Sequence, residues 1–212
     1  MKRRALPGLL VALFATGAAL AQERLSWQGL PTLPNTPGYG GPFVGSHQGH
    51  LIVAGGANFP EAPPWQGGKK VWYDHVLVLD PGADEWREAA KLNAPRAYGA
   101  AISTSYGVAL LGGSDADRHY ATCQLLALDA TTRQWIFAAL PSLPTATAFP
   151  AAAASGNTIY VAAGSDGSDA TAMTHAFWSL DLDAQPRRWR ELPAWPGPAR
   201  HKAVGFLQSN GR

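Results

Sequence analysis

The chain has one cysteine, two methionines and only 15% charged residues among its 212. Cys123 alone can form no internal disulfide, and with no CxxC or His-Cys cluster there is no zinc-ligand spacing, so packing must hold the fold. In an exported chain such a thiol reads as a small buried hydrophobe. The histidines, His47, His50, His75, His119, His175 and His201, show no ligand spacing along one strand, so no metal is expected; His47 and His50 suit a hairpin turn. No Gly-rich phosphate loop or Ser-His-Asp pattern is present, and no cofactor is expected. Low charge with 46% hydrophobic residues excludes a disordered tail and allows a sizeable core. Long helices are excluded by what is abundant: 23 glycines and 17 prolines, without a three-residue period, must punctuate many turns between short elements.

Long apolar runs are also missing, except at the start. Lys2, Arg3 and Arg4 precede an apolar stretch from Leu9 to Leu20, and Ala19-Leu20-Ala21 fits a small-x-small cleavage site, so residues 1–21 read as a secretory signal cut before Gln22. The run is too short for a membrane span. A periplasmic location without a membrane anchor is the expectation. Cleavage removes three positive charges and no negative one, turning 17 Lys+Arg against 15 Asp+Glu into 14 against 15. Net charge therefore gives no support to a nucleic-acid partner.

What the mature chain does have is a repeat. Trp27, Trp86, Trp135 and Trp189 are spaced by 59, 49 and 54 residues. Between them recur an apolar run ending in Gly-Gly or Ala-Gly (Gly55-Gly56, Gly112-Gly113, Ala163-Gly164) and a second run ending in Asp (Asp80, Asp129, Asp181). The runs are too short for helices and rich in Val, Ile, Leu and Tyr, so they read as buried strands. A period of about 50 residues is that of kelch repeats, each a four-stranded blade of a β-propeller. Counted from tryptophan to tryptophan, residues 22–212 hold about three and a half blades, an incomplete kelch β-propeller expected to form an open arc. Its uncovered blade faces invite self-association.

Gly38 to Gly45 (GYGGPFVG), Leu51 to Pro60 (LIVAGGANFP), Trp65 to Lys70 (WQGGKK) with Trp72-Tyr73-Asp74, and Arg96-Ala97-Tyr98-Gly99 resemble the kelch-type N-acetylneuraminate epimerases, or sialic acid mutarotases. The resemblance is to their circularly permuted branch, in which a segment like residues 27–115 directly follows the signal. It implies a six-bladed periplasmic propeller that exchanges the anomers of a sugar acid without a cofactor. Ring opening of a cyclic hemiketal needs a base for the anomeric hydroxyl, an acid for the ring oxygen and a cation for the carboxylate. The family's Gly-Glu…Pro-Gly-x-Arg motif is absent here and, by the permuted order, is expected beyond Arg212. No catalytic residue is therefore assigned, and this chain alone is expected to be inactive. The competing reading is a non-catalytic exported kelch module that binds carbohydrate or protein.

The candidate substrate-binding residues are Arg96, Arg200, Asn58, Lys69, Trp65 and Tyr73. Arg96 and Arg200 hold matching places in Pro-Arg and Pro-Ala-Arg turns, where an arginine fork either meets a carboxylate or bonds the loop carbonyls of a neighbouring blade. The others lie in an insertion. From Gly-Gly to terminal Asp the first copy spans 24 residues against 16 and 17 in the next two, and long loops on rigid scaffolds often carry function. There Trp65 either stacks on a sugar face or anchors the loop, and Lys69 offers a charge to an acidic group. Asp74, Asp115 and Asp117 are expected to cap turn N–H groups rather than to act as bases.

Overall fold

The computed structural model describes residues 26–34, 37–167 and 172–208. The segment read as a secretory signal lies outside the described residues. Residues 26–30 carry no strand and lie outside the compact unit that begins at Pro31, and Trp27 among them is 92% exposed.

From Pro31 onward the regular structure of the described residues is β, apart from one short 3-10 segment, Pro64–Gln66. The first sheet takes β1 (Phe43–His47), β2 (His50–Ala54), β5 (His75–Leu79) and β6 (Arg87–Lys91), with β3 (Ala57–Asn58) and β4 (Val71–Trp72) forming a small pair of their own between β2 and β5. The second holds β7 (Ala100–Thr104), β8 (Gly107–Leu111), β9 (Cys123–Leu128) and β10 (Trp135–Leu140). The third holds β11 (Ala151–Ser155), β12 (Thr158–Ala162), β13 (Phe177–Asp181) and β14 (Trp189–Glu191). Each is an antiparallel meander, the blade of a β-propeller, and β7 packs against β1 on one side and β11 on the other.

The sequence explains which strand goes where. β8 (GVALL) is buried along its whole length because it lies inside the middle sheet and meets a neighbour on both faces. Val108 and Leu110 join Phe43, Ile52, Val76, Val78 and Leu126 in the core between the first two sheets, while Ala109 and Leu111 join Ile159, Val161, Trp178 and Leu180 in the core between the second and third. β6 (REAAK) and β14 (WRE) are outer strands and carry the charges. The β1–β2 hairpin turns on Gln48 and Gly49, both at positive φ (50° and 81°), the pattern that matches strand twist in a two-residue connection.

The tryptophans mark the fourth strand of each blade, not the first. Trp86 directly precedes β6, and Trp135 and Trp189 open β10 and β14. The copy counted from one tryptophan to the next thus takes its outer strand from one sheet and the other three from the following sheet. The described residues hold three whole four-stranded sheets, and residues 192–208 add no strand. Two indoles find acceptors in proline carbonyls: Trp86 Nε1 donates to Pro31 O (2.9 Å) and Trp189 Nε1 to Pro141 O (2.8 Å), the latter directly after β10. Trp135 is buried edge-on to His50 (5.5 Å, 88°).

The turn after the second strand carries the joint between blades. Gly55 and Gly56 both have positive φ (62° and 98°), and a Cβ on Gly55 would lie 2.2 Å from Arg96 O, so only glycine fits. The Gly56 N–H donates to that same Arg96 carbonyl (2.8 Å); Gly113 N–H repeats the bond to Thr147 O (2.8 Å) and Gly164 N–H to Arg200 O (2.9 Å). Arg96, Thr147 and Arg200 are therefore equivalent positions in the linkers that lead out of the blades.

Arg96 is not available to a ligand. It is fully buried (0% exposed), with Nη1 donating to Gly112 O (3.3 Å) and Thr122 O (3.4 Å), Nη2 to Gln124 Oε1 (2.9 Å), and the guanidinium between the rings of Phe43 and Tyr120. Burial pushes its pKa below the ordinary arginine value. Of the two roles open to it in the sequence, it takes the structural one: it bonds the backbone of the next blade. The reason is steric, since the blade core closes over the linker and leaves the fork only carbonyls to reach.

Two outcomes follow. Cys123 is buried and its thiol is pushed up to about 11, chiefly by desolvation. A thiol reagent at mildly alkaline pH should therefore modify the unfolded chain and leave the native one untouched. Arg96→Leu should lower the unfolding free energy by about 1–3 kcal/mol through the stranded carbonyls, whereas Arg200→Leu, at an exposed side chain, should stay within about 0.5 kcal/mol; urea titrations of both variants measure the difference.

Candidate functional site

Antiparallel succession sorts the loops onto two rims. The β1–β2 and β5–β6 turns and their counterparts share one rim. The loops between second and third strands, and the linkers into the next blade, share the other. All six candidate residues lie on this second, linker rim.

Its inner edge has a regular construction. Gly41, Tyr98, Phe149 and Lys202 all have positive φ (60°, 64°, 55° and 56°). Each hands its carbonyl to the next: Tyr98 N–H donates to Gly41 O (2.8 Å), Phe149 N–H to Tyr98 O (2.6 Å) and Lys202 N–H to Phe149 O (3.0 Å). A left-handed backbone at a bulky residue costs of order 1–3 kcal/mol and clusters at functional sites. Here three non-glycine residues carry it at the same step of successive linkers. Gly41 is glycine for a second reason, because a Cβ there would fall 2.3 Å from Cδ1 of Tyr98.

The side chains of this row stack. Tyr98 and Phe149 lie 4.7 Å apart at 31°. Lys70 Nζ sits 4.4 Å from the Tyr98 centroid and 4.9 Å from that of Trp72, and Lys202 Nζ sits 5.1 Å from Phe149. Among the described lysines only Lys91 meets carboxylates, Asp74 at 3.9 Å and Glu88 at 3.8 Å. Lys70 and Lys202 are cations held on rings with no carboxylate within 4.0 Å among the described residues.

The rim also holds two unused indole donors. Of the five buried side-chain nitrogens without a partner among the described residues, Trp72 Nε1, Trp195 Nε1, His201 Nδ1 and the enclosed Arg96 Nε belong to it, and Trp135 Nε1 to the other; the two indoles can only donate, His201 Nδ1 donates or accepts by tautomer, and Arg96 Nε is out of a ligand's reach. Free cations and unmet donors together favour an acceptor-rich, anionic ligand. The carboxylate nearest in type, Asp115, is occupied. Burial works against its ionisation, but the Tyr120 hydroxyl and the N–H groups of Asp117 and Arg118 outweigh this and hold its pKa below the usual carboxylate range. It caps a turn, as the sequence suggests, and is a poor base. No group of three or more His, Cys, Asp or Glu converges as a metal-ligand set among the described residues.

The other sequence candidates are distributed around this row. Asn58 is buried and spends both ends of its amide on the loop, Nδ2 donating to Gly38 O (2.6 Å) and Oδ1 accepting from Tyr73 Oη (2.8 Å). Tyr73 in turn meets Tyr39 edge-on at 5.2 Å. Asn58 thus shapes the insertion from within, and Tyr73 beside it is half-buried. Trp65 is 81% exposed, on a one-turn 3-10 segment, Pro64–Gln66, and borders a cleft of about 830 Å³ with Asn58, Tyr39 and Glu61. With that exposure it does not anchor the loop. Lys69 is exposed, and the lysine that meets the rings is its neighbour, Lys70. Arg200 keeps the backbone place of Arg96 but holds its side chain in the open, Nε reaching only Pro198 O (3.3 Å).

Tyr98, Phe149, Lys202 and Lys70 were not among the residues the sequence singled out. A signal for the first three exists: Arg96-Ala97-Tyr98, Thr147-Ala148-Phe149 and Arg200-His201-Lys202 align once Thr147 is admitted as the equivalent of the arginines.

No protein-family model matches the chain. Curated proteins do. The chain is 30% identical over 128 residues to the N-acetylneuraminate epimerase of Pasteurella multocida (strain Pm70), a match covering 52% of this chain and 34% of that protein. It is 34% identical over 128 residues to the enzyme of the same name from Yersinia enterocolitica (serotype O:8 / biotype 1B), covering 52% and 31%. The matches thus span about a third of the relatives' own length. Among solved structures, that of YjhT superposes with a TM-score of 0.66 at 17% identity, covering 84% of this chain and 58% of that one, a likeness of fold. Over about half its length the chain is similar to N-acetylneuraminate epimerases, and its fold is similar to that of YjhT.

Proposed function

We propose that the chain is part of a periplasmic sugar-acid mutarotase that interconverts the anomers of N-acetylneuraminic acid, and that it supplies substrate-binding surface rather than the acid and base. The observation that carries this reading is the similarity to proteins named N-acetylneuraminate epimerase. The linker rim agrees with it. A sugar acid presents a carboxylate, several hydroxyl acceptors and an apolar ring face, and the rim presents unpaired lysines, unmet N–H donors and aromatic rings.

Anomer exchange requires the anomeric hydroxyl to lose a proton as the ring carbon–oxygen bond opens and the ring oxygen to gain one; rotation and the reverse transfers give the other anomer. The sequence contains no Gly-Glu…Pro-Gly-x-Arg motif to perform these transfers, and Asp115 is held ionised by its turn. The chain's own contribution is to hold the carboxylate and orient the ring, and alone it leaves the exchange rate unchanged.

Proton NMR of freshly released α-N-acetylneuraminate follows the approach to anomer equilibrium. Protein that joins this chain to a Glu/Arg motif segment should speed it by about a hundredfold over the spontaneous rate, a typical general acid–base contribution, while the chain alone should not. Binding without acceleration by the longer protein would give the reading to a carbohydrate-binding module.

A further inference from the structure

We infer that Lys70 receives the carboxylate of the ligand, and that Trp72 and Tyr98 position it for that task. This rests on the linker rim being a sugar-acid site, but it gives a role to a residue that is not among the candidate substrate-binding residues of the sequence.

The argument begins with what the ammonium group does not do. It carries three N–H donors, yet its contacts are to ring faces, 4.4 Å from the centroid of Tyr98 and 4.9 Å from that of Trp72, and no described carboxylate lies within 4.0 Å. Ring faces attract the charge without accepting its hydrogen bonds in full, so the donors remain available to an anion. A lysine on a solvated surface loses its rotamer freedom only when something holds it, and two rings hold this one in advance of binding.

The supports are fixed in turn. Trp72 lies on β4, where it pairs with Ala57 of β3, so the inserted loop has its own strand ladder. Tyr98 is locked in a left-handed conformation by its N–H bond to Gly41 O and packs on Phe149. A second, independent observation points to an acceptor at the same place: Trp72 Nε1 is buried and has no partner among the described residues. The other basic groups nearby are less suited. Arg96 is enclosed, and Lys202 stands at the far end of the Tyr98–Phe149 stack.

The test is calorimetric titration of the full chain with N-acetylneuraminate, its neutral methyl ester, and D-glucuronate as an unrelated carboxylate sugar. Lys70→Gln should weaken binding of the acid by about tenfold to a hundredfold, the worth of a charged hydrogen bond, and leave the ester's affinity unchanged. Lys70→Arg should recover most of the loss. Lys91→Gln, which removes a lysine from an outer strand, should have no effect. Near-ultraviolet circular dichroism confirms that each variant keeps its packing. If N-acetylneuraminate fails to bind but glucuronate binds in a Lys70-dependent way, the sialic acid reading fails and the role of Lys70 stands. Equal losses for acid and ester, binding of acids indifferent to Lys70, or no binding of any carboxylate sugar would overturn the inference.

Discussion

The structure depends on one backbone hydrogen bond made three times: the N–H of the second residue in the Gly-Gly or Ala-Gly turn donates to the carbonyl of the linker residue leading out of the same blade, Gly56 to Arg96, Gly113 to Thr147 and Gly164 to Arg200. It determines where the linker crosses the blade end. Two residues after that point stands a left-handed residue, Tyr98, Phe149 or Lys202, and the inner strands β7 and β11 begin two residues after Tyr98 and Phe149. The same bond that sets the course of the linker therefore aims one side chain per linker along the inner edge of the rim. Joint and site are consecutive parts of one peptide, and a change in the turn glycines acts on both.

The interior of the joint differs from blade to blade. Between the first two sheets the linker position carries Arg96, whose guanidinium bonds two carbonyls and an amide while lying between two rings. At the next joint it carries Thr147, whose hydroxyl is satisfied within its own linker by Thr145 O (2.8 Å). An enclosed charge is rarely more stabilising than apolar packing of the same volume. What the arginine adds is direction, because its donors match only one arrangement of the facing groups, the carbonyls of Gly112 and Thr122 and the side-chain amide of Gln124, and a slipped register would leave a buried cation unbonded.

The sequence was most legible where structure and composition share a period. Buried middle strands, Gly-Gly turns and the propeller class follow from short apolar runs and recurrent glycine. The phase of the repeat was not legible, because tryptophan is equally conspicuous at either end of a unit; only pairing shows that Trp86, Trp135 and Trp189 belong to outer strands. The site was legible as a region and not as residues. The insertion and the linkers were found, but Asn58 is spent on Gly38 and Tyr73, Arg96 is enclosed, and the ring contact falls to Lys70 instead of Lys69. Adjacent residues of an extended segment point to opposite sides, so a choice between two neighbouring lysines turns on strand register, which the partner strand sets. The row Tyr98, Phe149, Lys202 was hidden because its members share a backbone conformation and not a residue type.

The two rims are unequal in a way that assigns their roles. On the hairpin rim the polar groups are met by one another. His50 Nδ1 is 2.9 Å from Asp80, which also takes Arg87 Nε and Nη2; Tyr106 donates to Asp183, which accepts from Asn157 as well, and Ser105 donates to Asn157. The Arg87 hydrogen bond leads in holding the Asp80 pKa below its ordinary value. Several of these bonds tie neighbouring blades together, Ser46 N–H to Ser103 Oγ and Tyr106 to Asp183 among them, so this rim is a belt with its charges neutralised. On the linker rim the joints are made by backbone and, at the first joint, by the enclosed Arg96 side chain, while Lys70 and Lys202 rest on rings and the Trp72 and Trp195 indoles lack acceptors among the described residues. A propeller needs only one rim to hold its blades in register. Because the hairpin side does this with side chains, the linker side keeps Lys70 and Lys202 clear of carboxylates, which is what the proposed ligand requires.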